Sequence, residues 1–260
     1  MDHVSAVDTL ETNSRILVQR LKSHGFDATS CSLFQHVILE SNSLAMLCLS
    51  KGDGSESKQW LDKAKALAST SIPGGLIVGG GGADEMKGPS TLDGLKVLTL
   101  NNLACWQKAG GNSTKAVETL KQAISVTSQS NPPLPPQQQA VTHSNMAASL
   151  SSLDDHAGAR RHAKIAVQHC KDDLKRFSEG IGESNDLLRE RVMNGESNPD
   201  APAPHENEVS KTVSSLAVAC HNLAVETEFT QGGERALGWY KRAAELVKVQ
   251  QGEVRYFDKQ

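Results

Sequence analysis

Two columns of alanine recur in four segments of the chain. When the segments are aligned on Leu44, Leu103, Met146 and Leu223, both the next residue and the residue twenty positions after the anchor are alanine in all four copies. The first column is Ala45, Ala104, Ala147 and Ala224, and the second is Ala64, Ala123, Ala166 and Ala243. A third column of small residues, thirteen positions after the anchors, is Ser57, Ala116, Ala159 and Ala236. Alanine occurs only 26 times in 260 residues, so the columns indicate an internal repeat.

Each copy of the repeat predicts a pair of helices. A small residue on one helix lets a second helix approach closely, and a helix pair with an apolar face that it cannot bury alone stacks on its neighbours. The 3.6-residue periodicity of apolar residues predicts an all-α chain, and helices at both ends would cap the stack. The predicted elements are an N-terminal helix over about 4–23 and helix pairs over about 31–69, 92–128, 137–178 and 208–250.

Three segments interrupt this pattern and are predicted to be flexible insertions in one domain that spans 1–260. They are 73–90, 129–139 and 194–207, which are rich in glycine or proline. A glycine-rich loop can hold phosphates, but such a loop requires the pattern G-x-x-x-x-G-K-[ST]. In the first insertion Lys87 is followed by Gly88 and Pro89. Nucleotide binding there is therefore disfavoured.

The repeated segments resemble the tetratricopeptide repeat (TPR) family. The resemblance is carried by LNNLACWQKAGGNSTKAVETLKQAI (100–124), HSNMAASLSSLDDHAGARRHAKIAV (143–167), CHNLAVETEFTQGGERALGWYKRAAEL (220–246) and a weaker copy over 41–67. The LNNLA start of the first of these is similar to repeats of the kinesin light chain type. The resemblance implies a right-handed superhelical solenoid of about four helix pairs. TPR copies usually follow one another every 34 residues or so, and the insertions account for the longer spacing here.

Polar residues directly before the anchors are the candidate binding site. The residue before each anchor is Ser43, Asn102, Asn145 or Asn222, and Asn42, Asn101, Ser144 and His221 precede these. Asparagine amides both donate and accept hydrogen bonds, so such a row could bind the backbone of an extended peptide, as the resemblance to TPR proteins implies. The predicted peptide-binding residues are Asn101, Asn102, Lys108, Asn145, His221 and Asn222. The alternative is that the asparagines bond neighbouring helix backbones and only hold the stack together.

The same resemblance argues against a chaperone co-factor. TPR proteins that clamp the carboxylate of a chaperone C-terminus carry lysine and arginine at set places on the first helices. Lys108 is the only basic residue that the sequence places on that face, beside uncharged positions such as Leu98 and Val218.

No catalytic or metal-binding set of residues is predicted. His143, His156, His162 and His169 occur together, but their spacing does not match a zinc motif, and a solvated helix face is the simpler interpretation. The aspartate pairs 154–155 and 172–173 are predicted to be helix caps and surface charges. Five cysteines without any C-x-x-C pair indicate free core thiols and a reducing compartment. We therefore expect no cofactor, no metal and no enzymatic activity.

Charge and hydropathy exclude two further classes of function. The net charge is −3, from 27 basic and 30 acidic residues, so a nucleic-acid-binding face is not expected. The longest apolar run, 44–49, is far too short to cross a membrane. A cytoplasmic protein is expected, with association with the cytoskeleton as an alternative. The predicted function is protein–protein interaction as an adaptor or scaffold. The alternatives are a fixed structural subunit of a cytoskeletal, motor or ciliary assembly, and a small hydrolase or nucleotide-binding protein.

Overall fold

The structure is a computed structural model that describes residues 3–25, 27–70, 91–193 and 206–250. These residues form nine helices and confirm the predicted all-α class. The helices are α1 (His3–His24), α2 (Ala28–Ser50), α3 (Gly54–Ala68), α4 (Leu92–Ala109), α5 (Ser113–Gln129), α6 (Pro136–Ser151), α7 (His156–Met193), α8 (Glu206–Gln231) and α9 (Gly233–Gln250).

The helix ends differ from the prediction mainly at the interruptions. Helix α7 continues to Met193, well beyond the predicted end near 178. The predicted insertion 129–139 is only a short connection, because α6 already begins at Pro136. Proline is tolerated in the first turn of a helix, since the backbone nitrogen there needs no hydrogen-bond partner within the helix. The predicted insertion 73–90 and residues 194–205 of the third insertion lie outside the described residues.

The helix contacts divide the chain into two compact units, Met1–Leu134 and Pro135–Gln260. The first unit contains α1 and the pairs α2–α3 and α4–α5, and the second contains the pairs α6–α7 and α8–α9. The prediction of a single domain therefore stays a prediction.

The same packing pattern occurs inside each unit. The two helices of a pair pack along each other, and the first helix of the next pair contacts both of them: α4 contacts α2 and α3, and α8 contacts α6 and α7. Helix α1 packs on α2, where a capping helix was predicted. The hydrophobic core of each unit follows these contacts.

The small-residue columns lie at the contacts between helices. All eight alanines of the first two columns are buried, and Ala243 is the most exposed of them at 8%. The third column is also completely buried, including Ser57, whose hydroxyl has no hydrogen-bond partner among the described residues. The alignment of the repeats therefore corresponds to a real set of equivalent packing positions.

A shared turn joins the two helices in three of the pairs, and its recurrence was not predicted from the sequence. Eight residues after the anchor stands a residue with a left-handed backbone: Gly52 (φ 86°), Gly111 (φ 78°) and Asp154 (φ 60°). The residue after each of these donates its backbone N–H to the carbonyl five residues earlier, at 2.8–3.1 Å. Its side chain then accepts a hydrogen bond from the first turn of the next helix; these capping residues are Asp53, Asn112 and Asp155. The turn ends one helix and begins the next within three or four residues.

We predict that Gly111→Ala destabilises the protein by about 1–2 kcal/mol, because a left-handed backbone is strained with any Cβ. A methyl group at this position would meet nothing within 4 Å, so the cost comes from the backbone alone. Urea unfolding of the variant measures it. The matched control is Gly110→Ala, whose backbone has φ −79° and whose Cβ would make ordinary contacts at 3.6 Å. Equal stability of the two variants would contradict the assigned turn.

Candidate functional site

The asparagine column of the first unit forms part of a buried hydrogen-bond network between α2 and α4. Asn102 on α4 donates its Nδ2 to Oδ1 of Asn42 on α2 at 2.9 Å. Asn42 itself donates to the carbonyl of Ile38 and to Oγ1 of Thr99, both at 2.9 Å, and the Thr99 hydroxyl donates to the carbonyl of Leu95 at 2.8 Å. Asn42 is 2% exposed. This network ties together the first helices of two adjacent pairs.

The second unit has the equivalent contact between α6 and α8. Nδ2 of Asn222 lies 3.5 Å from the carbonyl oxygen of Ser144. Asn222 and Asn102 each stand one residue before an anchor, and Ser144 and Asn42 each stand two residues before one. The same pair of repeat positions therefore joins the first helices in both units. These bonds are those expected if the asparagines hold the stack.

The other predicted binding residues lie in different surroundings. Asn101 is buried and donates its Nδ2 to the carbonyl of Val97 in its own helix at 3.0 Å, so it presents no surface to a partner. Lys108 is exposed in the last turn of α4, six residues after Asn102 and therefore well away from it around the helix. His221 is exposed, and its ring lies edge-on to Tyr240 of α9 at 5.8 Å. Asn145 is half-buried on α6.

A row of uncharged positions lies along α6 and α8. Starting five residues before each anchor, residues spaced by four and then three lie on one face of a helix. They are Val141, Asn145 and Ala148 on α6, and Val218, Asn222 and Val225 on α8; we call this set the α6–α8 stripe. Val141 is 38% and Val218 is 54% exposed, and the other four are half-buried. Helices α6 and α8 are in contact, and both parts of the stripe lie within the second unit.

The α6–α8 stripe carries no formal charge. Helix α6 contains no aspartate, glutamate, lysine or arginine along its whole length. In α8 none of these four residue types occurs between Thr212 and Val225. An apolar and amide-bearing surface of this kind suits an uncharged partner segment, since it offers side-chain burial and hydrogen bonds without ion pairs.

Three of the four clustered histidines form a group on α6 and α7, which corrects the interpretation of a solvated helix face. His143 and His162 are both half-buried, and their Nδ1 atoms lie 2.8 Å apart. Their rings are nearly parallel with centroids at 5.1 Å, and the His169 ring lies 5.7 Å from that of His143. A neutral imidazole has one donor and one acceptor nitrogen, so this bond requires one bare Nδ1. A pair with both rings protonated cannot form it.

Burial lowers the pKa of all three histidines and so favours their neutral forms. Burial lowers the pKa of His143 to about 4, with further lowering by His162 and His169. Burial also lowers the pKa of His162; Arg161 lowers it further, whereas Asp155 raises it. Burial lowers the pKa of His169 as well, and Asp172 raises it. The fourth histidine, His156, is separate from the group.

Buried acids in the second unit are a feature that the sequence did not reveal. Asp173 is 1% exposed, accepts a hydrogen bond from the Thr212 hydroxyl at 2.7 Å and pairs with Arg176 at 2.6 Å. The prediction that Asp173 is a surface charge is therefore wrong. Glu226 is likewise buried at 2% and lies 2.9 Å from Nδ1 of His156. Both acids connect α7 to α8, so they act as polar links between helix pairs.

The cysteines have the properties of core thiols. Cys48, Cys170 and Cys220 are buried, and all five cysteines are free. Burial raises the pKa of Cys170 to about 12 and that of Cys220 to about 11. A nucleophilic cysteine needs a lowered pKa, so the chemistry of these thiols is that of packing residues.

The described residues contain neither a candidate metal site nor a candidate membrane-spanning helix. Within 3–25, 27–70, 91–193 and 206–250, no group of three or more histidine, cysteine, aspartate or glutamate side chains is arranged to hold a metal ion. In the same part of the chain, no helix combines the length and apolar character that a membrane span requires.

Several solved structures are similar to this chain at low sequence identity. No protein-family model and no curated protein matches the sequence. Among solved structures, BtubC (BKLC) from P. vanneervenii is similar with a TM-score of 0.49 and 14% identity, over 96% of this chain and 91% of that one. A protein from Podosopora anserina, described as a putative kinesin light chain with nearly identical TPR-like repeats, has a TM-score of 0.39 and 12% identity over 82% and 96% of the two chains. A variant of that protein has a TM-score of 0.40 and 13% identity over 84% and 97%. Because all three TM-scores are below 0.5, the TPR-like assignment rests on this chain's own helix pairs and small-residue columns.

We predict that the stability of the protein falls as the pH is lowered from about 6.5 to about 4. The pKa of His143 in the folded protein, about 4, is below its ordinary value of 6.5, so the unfolded chain binds more protons in this range and acid favours unfolding. The contribution of His143 to the free energy of unfolding reaches its full value above pH 6.5. The melting temperature measured against pH tests this, with His143→Gln expected to show a shallower decline than the parent. His24→Gln, at the exposed end of α1, is the control and should follow the parent; an unchanged profile for His143→Gln would contradict the assignment.

Proposed function

We propose that this protein is a non-enzymatic protein-interaction module, an adaptor or scaffold, and that the α6–α8 stripe binds an uncharged segment of a partner protein. The observation that carries the proposal is the exposure of Val141 and Val218 at equivalent repeat positions on two adjacent helices. Apolar side chains at such positions do not serve the core of their own unit. A partner that covers them gains the free energy of burying apolar surface, about 25 cal/mol for each Å².

For the asparagines of the stripe, the proposal combines two roles that were alternatives in the sequence: peptide binding and helix stacking. Asn222 donates one hydrogen bond toward Ser144, but an amide group offers two N–H donors and an acceptor oxygen with two lone pairs. Asn222 can therefore hold α8 against α6 and still bind the backbone of a partner. The two interpretations of the asparagine column, stacking and peptide binding, are compatible at this residue. Asn145 is a proposed contact of the same kind. Asn102 lies on α4 in the first unit, outside the stripe, and its role in peptide binding stays a separate prediction.

Three of the predicted site residues have a smaller part in the proposal. Asn101 is buried and is left out of the contact surface. Lys108 and His221 are exposed but lie outside the stripe. Binding is therefore proposed to rely on apolar burial and neutral hydrogen bonds, and not on a carboxylate clamp. A cytoplasmic location remains part of the proposal, with association with the cytoskeleton as an alternative.

We predict that Val218→Lys abolishes or strongly weakens partner binding, because it puts a charge into the uncharged stripe and would leave that charge buried and unpaired in the complex. The matched control is Leu237→Lys on α9, since Leu237 is 51% exposed but lies off the stripe. Proteins that co-purify with the tagged parent and with each variant are quantified by mass spectrometry at low and high salt. The proposal expects the same proteins on the parent and on Leu237→Lys, their loss on Val218→Lys, and little effect of salt.

Two results would contradict the proposed surface. One is retention of every parent-specific protein by Val218→Lys with an unchanged melting temperature. The other is equal loss from both variants, which would show that any added lysine has this effect. Melting temperatures of both variants should match the parent, since both positions are exposed in the free protein.

A further inference from the structure

A cavity in the first unit has features of a ligand site and takes no part in the proposed function. It has a volume of about 340 Å³ and lies where α3, α4 and α5 meet. Ligand cavities commonly measure about 300–1,000 Å³, so this one has the size for a small molecule. The α6–α8 stripe is in the other unit, and the two sites can be tested separately.

The floor of the cavity is apolar and firmly held. It includes Ala68 and Leu100, which are 2% and 4% exposed. Thr99 also lines the cavity, and its hydroxyl is fixed by the bonds to Leu95 and Asn42 described above. A short aliphatic part of a ligand could rest on this floor without displacing a side chain.

The rim of the cavity carries positive charge and hydrogen-bonding groups. Lys65 from α3 and Lys96 from α4 both line it, together with Gln122 and Ser125 from α5, and no aspartate or glutamate is among its described lining residues. Within the described part of the chain, neither lysine forms an ion pair of the kind that Lys58 makes with Asp62. Two ammonium groups at one cavity without a carboxylate create a local positive potential that attracts anions.

We propose that this cavity binds a small organic anion, with a carboxylate or phosphate group toward Lys65 and Lys96 and a short aliphatic part against Leu100 and Ala68. The anionic oxygens accept hydrogen bonds from the ammonium groups, from the Gln122 amide and from the Ser125 hydroxyl. Charge-assisted hydrogen bonds of this type are stronger than neutral ones. The amide and the hydroxyl add direction, while the apolar floor favours an anion with a stem over a bare ion.

The test uses the full chain and three probes of similar size: hexanoate, butyl phosphate and the neutral hexanamide. Isothermal titration calorimetry and saturation-transfer NMR measure binding to the parent, to Lys65→Gln, to Lys96→Gln and to the control Lys121→Gln. Lys121 is exposed on α5, one residue before Gln122, and does not line the cavity. Glutamine keeps most of the side-chain length and removes the charge.

The proposal expects at least one of the two anionic probes to bind the parent and hexanamide to bind at least tenfold more weakly. It expects each of Lys65→Gln and Lys96→Gln to weaken the anion by about tenfold or more, Lys121→Gln to bind as the parent, and all variants to melt at the parent temperature. The relative affinity of hexanoate and butyl phosphate decides between a carboxylate and a phosphate. Absence of binding by both anions overturns the proposal, and so does equal binding of hexanamide or an equal effect of Lys121→Gln.

Discussion

The close approach of helices at the alanine columns is the contact on which the rest of the structure depends. Ala45, Ala104, Ala147 and Ala224 are buried on the first helices, and the second column is buried on the second helices. A larger side chain at these positions would force the helices of a pair apart, because interiors are close-packed. The large anchors beside the alanines, such as Leu103 and Leu223, then fill the space between adjacent pairs. Because the anchors and alanines of α6 and α8 face the core, Val141 and Val218, four residues before the stripe asparagines, lie at the surface.

Polar links between the first helices complete the stack, and they are also where the candidate site begins. The bond from Asn102 to Asn42 in one unit and that from Asn222 to Ser144 in the other join equivalent positions. A buried amide needs a partner, so these asparagines fix the register of α2 against α4 and of α6 against α8. Asn222 is also a residue of the α6–α8 stripe. Structure and proposed binding surface therefore share residues, which explains why the sequence alone left two interpretations of the column open.

Much of the fold could be predicted from the sequence, because its strongest signals are local or repeated. The alanine columns identified the helix pairs, and the apolar periodicity placed most helix ends within a few residues of those observed. The turn that contains Gly52 and Gly111 could also have been found, since each glycine is followed by an aspartate or asparagine that caps the next helix. In the third pair Asp154 takes the place of the glycine, and this substitution hid the pattern.

The features that were missed depend on partners far apart in the chain. Asp173 is buried because Thr212, 39 residues later, donates to it, and Glu226 is buried beside His156, 70 residues earlier. The pairing of His143 with His162 likewise requires α6 and α7 to lie at one particular register. The cavity between α3, α4 and α5 is formed by three helices, and no single segment carries a signature of it. Sequence patterns give the faces of a helix, whereas such contacts require the packed structure.

Hydrogen–deuterium exchange of Ala104→Leu shows whether the alanine columns hold neighbouring helices together within each unit. Overpacking at a buried alanine typically costs about 1–3 kcal/mol, and α4 contacts α2, α3 and α5. We expect amides in these four helices to exchange faster than in the parent protein, while α8 and α9 exchange as before. An exchange pattern identical to that of the parent throughout α2–α5 would contradict it, because a leucine would then fit where the repeat requires a small residue.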